Sequence, residues 1–107
     1  MILKIIKVTG RSLYPVYQDG DFVIISKIPI LFGFLRPGNV VVFNHPAYGR
    51  LIKRVARIEE GGKRLFVVGE NEESVDSRSF GSIATQWVQG KVIWSIFKRG
   101  LRVSKTS

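Results

Sequence analysis

The sequence predicts a mostly β protein, a small compact barrel or sandwich, and three observations support this fold class. The chain has 107 residues, of which 45% are hydrophobic, so it can bury one small core. Its apolar residues form short runs with the alternation or clustering that is typical of strands. Residues that favour turns separate these runs, and no long stretch shows helical periodicity. Short strands at regular spacing with glycine turns are typical of compact β barrels and sandwiches.

Each predicted strand is bounded by a turn signal. The first predicted strand ends at Thr9-Gly10, and turns at residues 19–21 and 36–39 precede the second and third. A tight turn at residues 59–63 joins the fourth and fifth into a hairpin. In chain order, the predicted strands are Ile2–Val8, Phe22–Ile25, Val40–Phe43, Leu51–Ile58, Leu65–Val68 and Gln89–Phe97. We expect residues 1–97 to form a single domain and residues 98–107 to form a basic C-terminal tail.

The composition excludes several kinds of site. Because the chain has no cysteine, it has no disulfide framework, no thiol nucleophile and no cysteine-ligated zinc. Its single histidine, His45, which is predicted to lie in a loop, cannot build a metal site by itself. We therefore expect no metal and no cofactor.

The net charge of +9 suggests a nucleic acid or an anionic membrane surface as a partner. The cations are spread along the chain, with one concentration at Lys98, Arg99, Arg102 and Lys105. Because no aromatic-interleaved nucleic-acid motif accompanies them, nucleic acid is not expected as the main partner.

The apolar segment Ile30–Leu35 has two interpretations. As an exposed loop flanked by positive charge, it would contact an anionic membrane. As a segment tucked into the core, it would have no partner outside the chain. No segment is long and apolar enough to span a bilayer, and the N-terminal run is too short for a signal peptide. The expected location is the cytoplasm or the surface of a membrane.

Ser12 is a candidate nucleophile in a turn between Gly10 and Pro15. A serine at such a place is most often a simple turn residue. Here, however, Gly10 permits close approach of a substrate carbonyl, and Pro15 stiffens the exit from the turn. Backbone N–H groups in the turn could face a developing oxyanion.

Lys53 is the candidate general base for this serine. It lies in a predicted strand and shares a face with Leu51 and Val55, whereas Arg54 lies on the opposite face. An apolar environment lowers the pKa of a lysine, and a neutral lysine can accept the proton of a serine hydroxyl. The alternative is a lysine whose stem lies along the apolar surface while its ammonium reaches water.

The segment Gly69–Gly81 is polar, rich in turn residues and long for a loop. Asp76 and Arg78 could form a local ion pair within it, and Ser74 could hydrogen-bond a nearby lysine and orient it. The simpler interpretation of this segment is an acidic surface loop.

Together these segments resemble the conserved boxes of type I signal peptidases and their relatives, a family of Ser/Lys endopeptidases. The similarity runs from about Val8 to Trp94, in the same order and spacing as in the family. The matching segments are Gly10-Arg11-Ser12-Leu13-Tyr14-Pro15, Gly20-Asp21, Pro37-Gly38-Asn39-Val40-Val41, Lys53-Arg54-Val55, Gly69-Glu70-Asn71, Ser74-Val75-Asp76-Ser77-Arg78-Ser79-Phe80-Gly81 and Gly90-Lys91-Val92.

This resemblance implies a role for each candidate residue. Ser12 would be the nucleophile, Lys53 the general base and Ser74 the residue that orients the lysine. Asp76 and Arg78 would form a structural pair that holds the segment Gly69–Gly81, hereafter the closing segment, near the site. The backbone N–H of Ser12 would meet the oxyanion, and no side-chain donor would help it, because Gly10 occupies the position where some relatives have a serine.

Several positions depart from the family pattern. Leu13 replaces the usual methionine, and Asn39 and Glu70 each replace an aspartate. The long N-terminal anchor and the large second β domain of membrane-bound relatives are also not expected here. This compact, anchorless form is similar to the small peptidases that remove the N-terminal propeptide of nickel-containing superoxide dismutase.

The expected function is therefore removal of an N-terminal signal or propeptide from a polypeptide that binds as an extended strand. Two alternatives differ in class. One is an autoprotease of the kind found in SOS-response repressors. The Ser-x-Asp-Ser-Arg pattern at residues 74–78 argues against this alternative. The other is a basic β domain that binds an anionic membrane or nucleic acid without catalysis.

Overall fold

The computed structural model describes residues 3–9, 17–70, 75–96 and 103–105, so Gly10, Ser12 and Ser74 of the predicted site lie outside the described residues. The strands are β1 (Leu3–Lys7), β2 (Phe22–Ser26), β3 (Val40–His45), β4 (Gly49–Glu59), β5 (Arg64–Val68), β6 (Ile83–Ala84), β7 (Val88–Ile96) and β8 (Val103–Lys105). Two short helices, α1 (Ile28–Leu31) and α2 (Ser77–Phe80), and two 3₁₀ turns, Glu60–Gly62 and Thr85–Trp87, lie between strands.

These strands form one antiparallel sheet in the order β1-β2-β7-β3-β4-β5-β6, and β8 pairs with β7. The prediction of a mostly β protein is confirmed. Within the described residues, β1 and β6 remain at opposite ends of the sheet, so the sheet does not close into a barrel. β-Bulges in the β2–β7, β3–β7 and β4–β5 pairings add local bends and twist.

Every predicted strand is present, with small differences at its ends. The structure adds elements that periodicity does not reveal, because each is too short for a repeating pattern. Helix α1 is only one turn long, with Pro29 in its first turn, where the missing N–H of proline costs nothing. His45, predicted to lie in a loop, is instead the last residue of β3.

The sheet packs its side chains into two clusters. The first contains Ile6, Val8, Tyr17, Val23, Ile25, Val40, Val42, Ile52 and Val92. The second contains Leu35, Val41, Phe43, Val55, Leu65, Val67, Ile83 and Val88. Strands β3 and β4 contribute to both clusters because neighbouring residues point to opposite faces. Thus Ile52 packs into the first cluster and Val55 into the second.

Candidate active site

Lys53 is buried in the middle of β4. It pairs in register with Val41 of β3, and only 2% of its surface is exposed. Its strand neighbours on the same face, Leu51 and Val55, pack in the second cluster. No hydrogen bond or ion pair connects its ammonium to any other residue that the structure describes. Burial lowers the pKa of Lys53 below its ordinary value of 10.5 because the charged form loses its hydration.

Two charges of the closing segment act on Lys53. The negative charge of Asp76 raises the pKa of Lys53, and the positive charge of Arg78 lowers it, but both effects are smaller than that of burial. Both charges therefore lie close enough to Lys53 to act on its amine. The net effect favours the neutral amine, which is the form that can accept a proton.

Asp76 is fully buried and makes several hydrogen bonds. Its carboxylate accepts the backbone N–H of Gly69 at 2.8 Å, the backbone N–H of Arg78 at 3.0 Å and the Arg78 guanidinium at 2.6 Å. Burial alone would raise the pKa of Asp76, but these hydrogen bonds and the positive charge of Arg78 hold it below its ordinary value of 3.8. Asp76 is thus an anion that caps the N-terminus of α2 and joins both ends of the closing segment.

Ser77 attaches α2 to the sheet, a role that sequence reasoning missed. Its buried hydroxyl accepts the backbone N–H of Val67 at 2.9 Å. Val67 pairs with Val55 of β4, two positions along the strand from Lys53. This contact therefore fixes the start of α2 beside the lysine. The sequence offers only a weak signal for this hydrogen bond, a serine that follows an aspartate, because its partner Val67 lies ten residues earlier.

Arg54 points to the face of β4 opposite Lys53. Its guanidinium contacts the carboxylate of Glu70 at 2.5 Å and donates to the carbonyl oxygen of Gly38 at 2.8 Å. The side chain of Asn39 accepts the backbone N–H of Arg36 at 2.8 Å. Glu70 and Asn39, the two positions where the family has aspartate, thus both hold loops in place.

The ends of the segment that carries Gly10 and Ser12 are held together. The N–H of Val8 donates to the carbonyl oxygen of Asp21 at 2.7 Å, and the N–H of Gly20 donates to that of Val8 at 2.9 Å. Val8 belongs to the same core cluster as Ile52, the residue immediately before Lys53. The chain therefore leaves β1 near Ile52 of β4, whose side chain lies on the face of the strand opposite Lys53.

A groove runs between β1 and β4. Consecutive residues of both strands line it, Ile6–Thr9 on one side and Arg50–Ile52 on the other, together with Val42. In the described part of the chain, β1 has a strand partner only in β2, and β5 pairs with β4 only from Arg54 onward. Among the described strands, one edge of β1 and the matching stretch of β4 before Arg54 thus have no partner, and a free strand edge is what an extended peptide needs for strand addition.

The described residues offer neither a metal site nor a membrane-spanning helix. Among them, no group of three or more His, Asp or Glu side chains could hold a metal ion. Within the same ranges, no helix is long and apolar enough to cross a membrane.

Comparison with known proteins identifies one family. A family model described as Peptidase S24-like matches residues 3–93, which include β1–β6 and most of β7. No curated protein matches the chain significantly.

Proposed function

The chain belongs to the Peptidase S24-like family, and we propose that it is a serine endopeptidase in which Ser12 is the nucleophile and Lys53 the general base. One observation carries the proposal: Lys53 is buried among apolar side chains with a lowered pKa. Burying a lysine costs a small domain stability, and an ionisable group with a pKa shifted by burial is a common mark of a functional site.

The proposed reaction proceeds through an acyl-enzyme. The neutral Nζ of Lys53 accepts the proton of Ser12 Oγ while that oxygen attacks the scissile carbonyl carbon. The backbone N–H of Ser12 stabilises the resulting oxyanion. When the C–N bond breaks, the Lys53 ammonium returns the proton to the leaving amine. Water then attacks the ester, giving its proton to Lys53, and Ser12 recovers its hydrogen as the acid product leaves.

The closing segment has a positioning role in this proposal. Ser74 accepts or donates a hydrogen bond that orients the Lys53 amine, and Asp76 with Arg78 holds the segment against the sheet. The hydrogen bonds of Asp76 and the attachment of Ser77 to Val67 support this role. Gly10 leaves space for the substrate backbone beside the nucleophile.

The substrate is a polypeptide that binds as an extended strand in the groove between β1 and β4. Backbone hydrogen bonds to the two free edges would hold it in register, as in other strand-addition complexes. Its side chains would alternate between the two faces of the groove, one of which is formed by Ile6, Val8 and Ile52 of the first cluster.

The substrate class that we propose is an N-terminal signal or propeptide. The support is the resemblance of the closing segment to that of signal peptidases and of the small nickel superoxide dismutase maturation peptidases. The precursor of that dismutase is therefore the first substrate to test. A self-cleaving peptidase is the second candidate, because the family match supports peptidases and autoproteases alike.

A cleavage assay on a diverse peptide pool, read by mass spectrometry from pH 6 to pH 10, tests the proposal. We expect the wild type to cleave, with a rate that rises with pH as Lys53 loses its proton. Ser12→Ala and Lys53→Met should each reduce the rate by about 1000-fold or more, as loss of a nucleophile or base does. Lys63→Met, which removes an exposed lysine from a turn remote from the groove, is the matched control and should keep full activity.

Each other outcome contradicts part of the proposal. Equal cleavage by the wild type and by both variants would assign the activity to a contaminant. Wild-type protein that cleaves only itself would establish the second candidate. If neither the pool, the dismutase precursor nor the chain itself is cleaved, the protein is a binding domain.

A further inference from the structure

The turn at residues 28–34, hereafter the apolar turn, exposes large hydrophobic side chains. The exposed fraction is 68% for Leu31, 66% for Phe32 and 58% for Phe34. The rings of Phe32 and Phe34 stack with their centroids 6.0 Å apart. Three large side chains exposed so close together make a patch that folding alone does not require.

The backbone holds this patch in a defined shape. The N–H of Phe32 donates to the carbonyl oxygen of Ile28 at 3.1 Å, and that of Phe34 donates to Pro29 at 2.7 Å. Gly33, with φ at +70°, makes the reversal between the two rings. The apolar turn is therefore a hydrogen-bonded structure that presents its apolar residues outward.

The segment Ile30–Leu35 is partly exposed and partly packed into the core. Leu35 is buried in the second cluster and Ile30 packs against that cluster. These two residues anchor the apolar turn to the sheet, while Leu31, Phe32 and Phe34 project away from it.

The charges around the apolar turn have one sign. Exposed Lys27 and Arg36 flank it. No acidic residue occurs between Asp21 and Glu59, a segment that also carries the exposed Arg50. Exposed apolar side chains flanked by cations complement an anionic lipid bilayer, which has an apolar interior and a negatively charged surface.

We propose that the apolar turn docks the protein on an anionic membrane surface, with Leu31, Phe32 and Phe34 inserted at the level of the headgroups and Lys27 and Arg36 against the lipid phosphates. The charge complementarity selects this occupant over an uncharged apolar protein surface. The proposal is independent of catalysis, since it uses none of the residues assigned to the reaction.

Co-sedimentation of the full chain with lipid vesicles tests this docking. The probes are vesicles of phosphatidylcholine alone and of phosphatidylcholine with about 30% phosphatidylglycerol, which gives the surface a negative potential. We expect binding to the anionic vesicles that weakens with added salt, and much weaker binding to the neutral ones.

Two pairs of variants locate the contact. Phe32→Ser combined with Phe34→Ser should weaken binding to the anionic vesicles by about tenfold or more, because each ring loses its burial in lipid. Tyr48→Ser, at an exposed aromatic residue in the β3–β4 turn, should bind like the wild type.

Lys27→Gln should weaken binding by about fivefold, and Lys63→Gln by less. Circular dichroism of each variant verifies that it is folded.

Three results would overturn the proposal. The first is wild-type protein that binds neither kind of vesicle. The second is a folded Phe32→Ser/Phe34→Ser variant that binds as tightly as the wild type. The third is self-association of the wild type, without vesicle binding, that this double variant abolishes, because the apolar turn would then be an interface between copies of the chain.

Discussion

At the scale of single residues, Lys53 has the most unusual environment in the described structure. It is the largest charged side chain among the most deeply buried residues, and no described residue gives it a hydrogen bond. Asp76, also fully buried, is by contrast satisfied by two backbone N–H groups and an arginine. Burial thus lowers the pKa of Lys53, whereas the contacts of Asp76 lower the pKa of its carboxyl and keep it charged.

The lowered pKa of Lys53 predicts how stability depends on pH. The unfolded chain keeps the proton on Lys53 up to a pKa near 10.5, whereas the folded protein releases it at lower pH. Between the two values the unfolded state binds more protons, so the free energy of unfolding of the wild type rises with pH. The rise is about 1.4 kcal/mol for each unit by which the folded pKa is lowered.

Lys53→Met should remove this rise. Its stability relative to the wild type should therefore be greatest at neutral pH and should diminish as the pH approaches 10.5. Urea unfolding at several pH values from 7 to 10.5 measures the difference, with Lys63→Met as the control that keeps the wild-type dependence. Parallel pH profiles for the wild type and Lys53→Met would contradict the desolvation of Lys53.

At the scale of elements, β4 positions Lys53 and β7 packs closely against β2. Strand β4 presents Lys53 to one face and Arg54 to the other, and β7 lies between β2 and β3 in the sheet. Gly90 of β7 is part of the family-like Gly-Lys-Val segment, and packing explains why glycine is needed there. A Cβ at this position would lie 3.0 Å from Cβ and Cδ1 of buried Ile25.

Gly90→Ala should therefore destabilise the fold by about 1–3 kcal/mol, as overpacking of a well-filled core does. Chemical denaturation measures the loss. Gly90→Ala combined with Ile25→Val should recover part of it, because the shorter side chain removes the Cδ1 contact. A Gly90→Ala protein as stable as the wild type would show that β2 and β7 can move apart without cost.

At the scale of the whole molecule, charge and apolar surface are segregated. The acidic residues of the chain are confined to residues 19–21, 59–60 and 70–76, and every charged residue elsewhere in the sequence is basic. The apolar turn lies within residues 22–58, the longest stretch of the chain without an acidic residue. The groove between β1 and β4, with Lys7 and Arg50 on its two walls, also lies outside the acidic segments.

The sequence predicted the strands well because their alternation and turn residues are local signals. It also indicated the burial of Lys53, since Leu51 and Val55 occupy the same face of the strand. What it missed depends on contacts between distant segments. The hydrogen bond between Ser77 and Val67, the ion pair of Arg54 with Glu70, and the tilted ring contact of His45 with Phe80 at 4.5 Å all require the register of the sheet.

The most direct test of the account is detection of the acyl-enzyme by intact-protein mass spectrometry. A peptide that the wild type cleaves is mixed with the enzyme, and the reaction is stopped with acid within one turnover. We predict a mass increase equal to the N-terminal product less one water, located on Ser12 by digestion. Ser12→Ala and Lys53→Met should show no adduct. Cleavage without an adduct, or an adduct on another residue, would contradict Ser12 as the nucleophile.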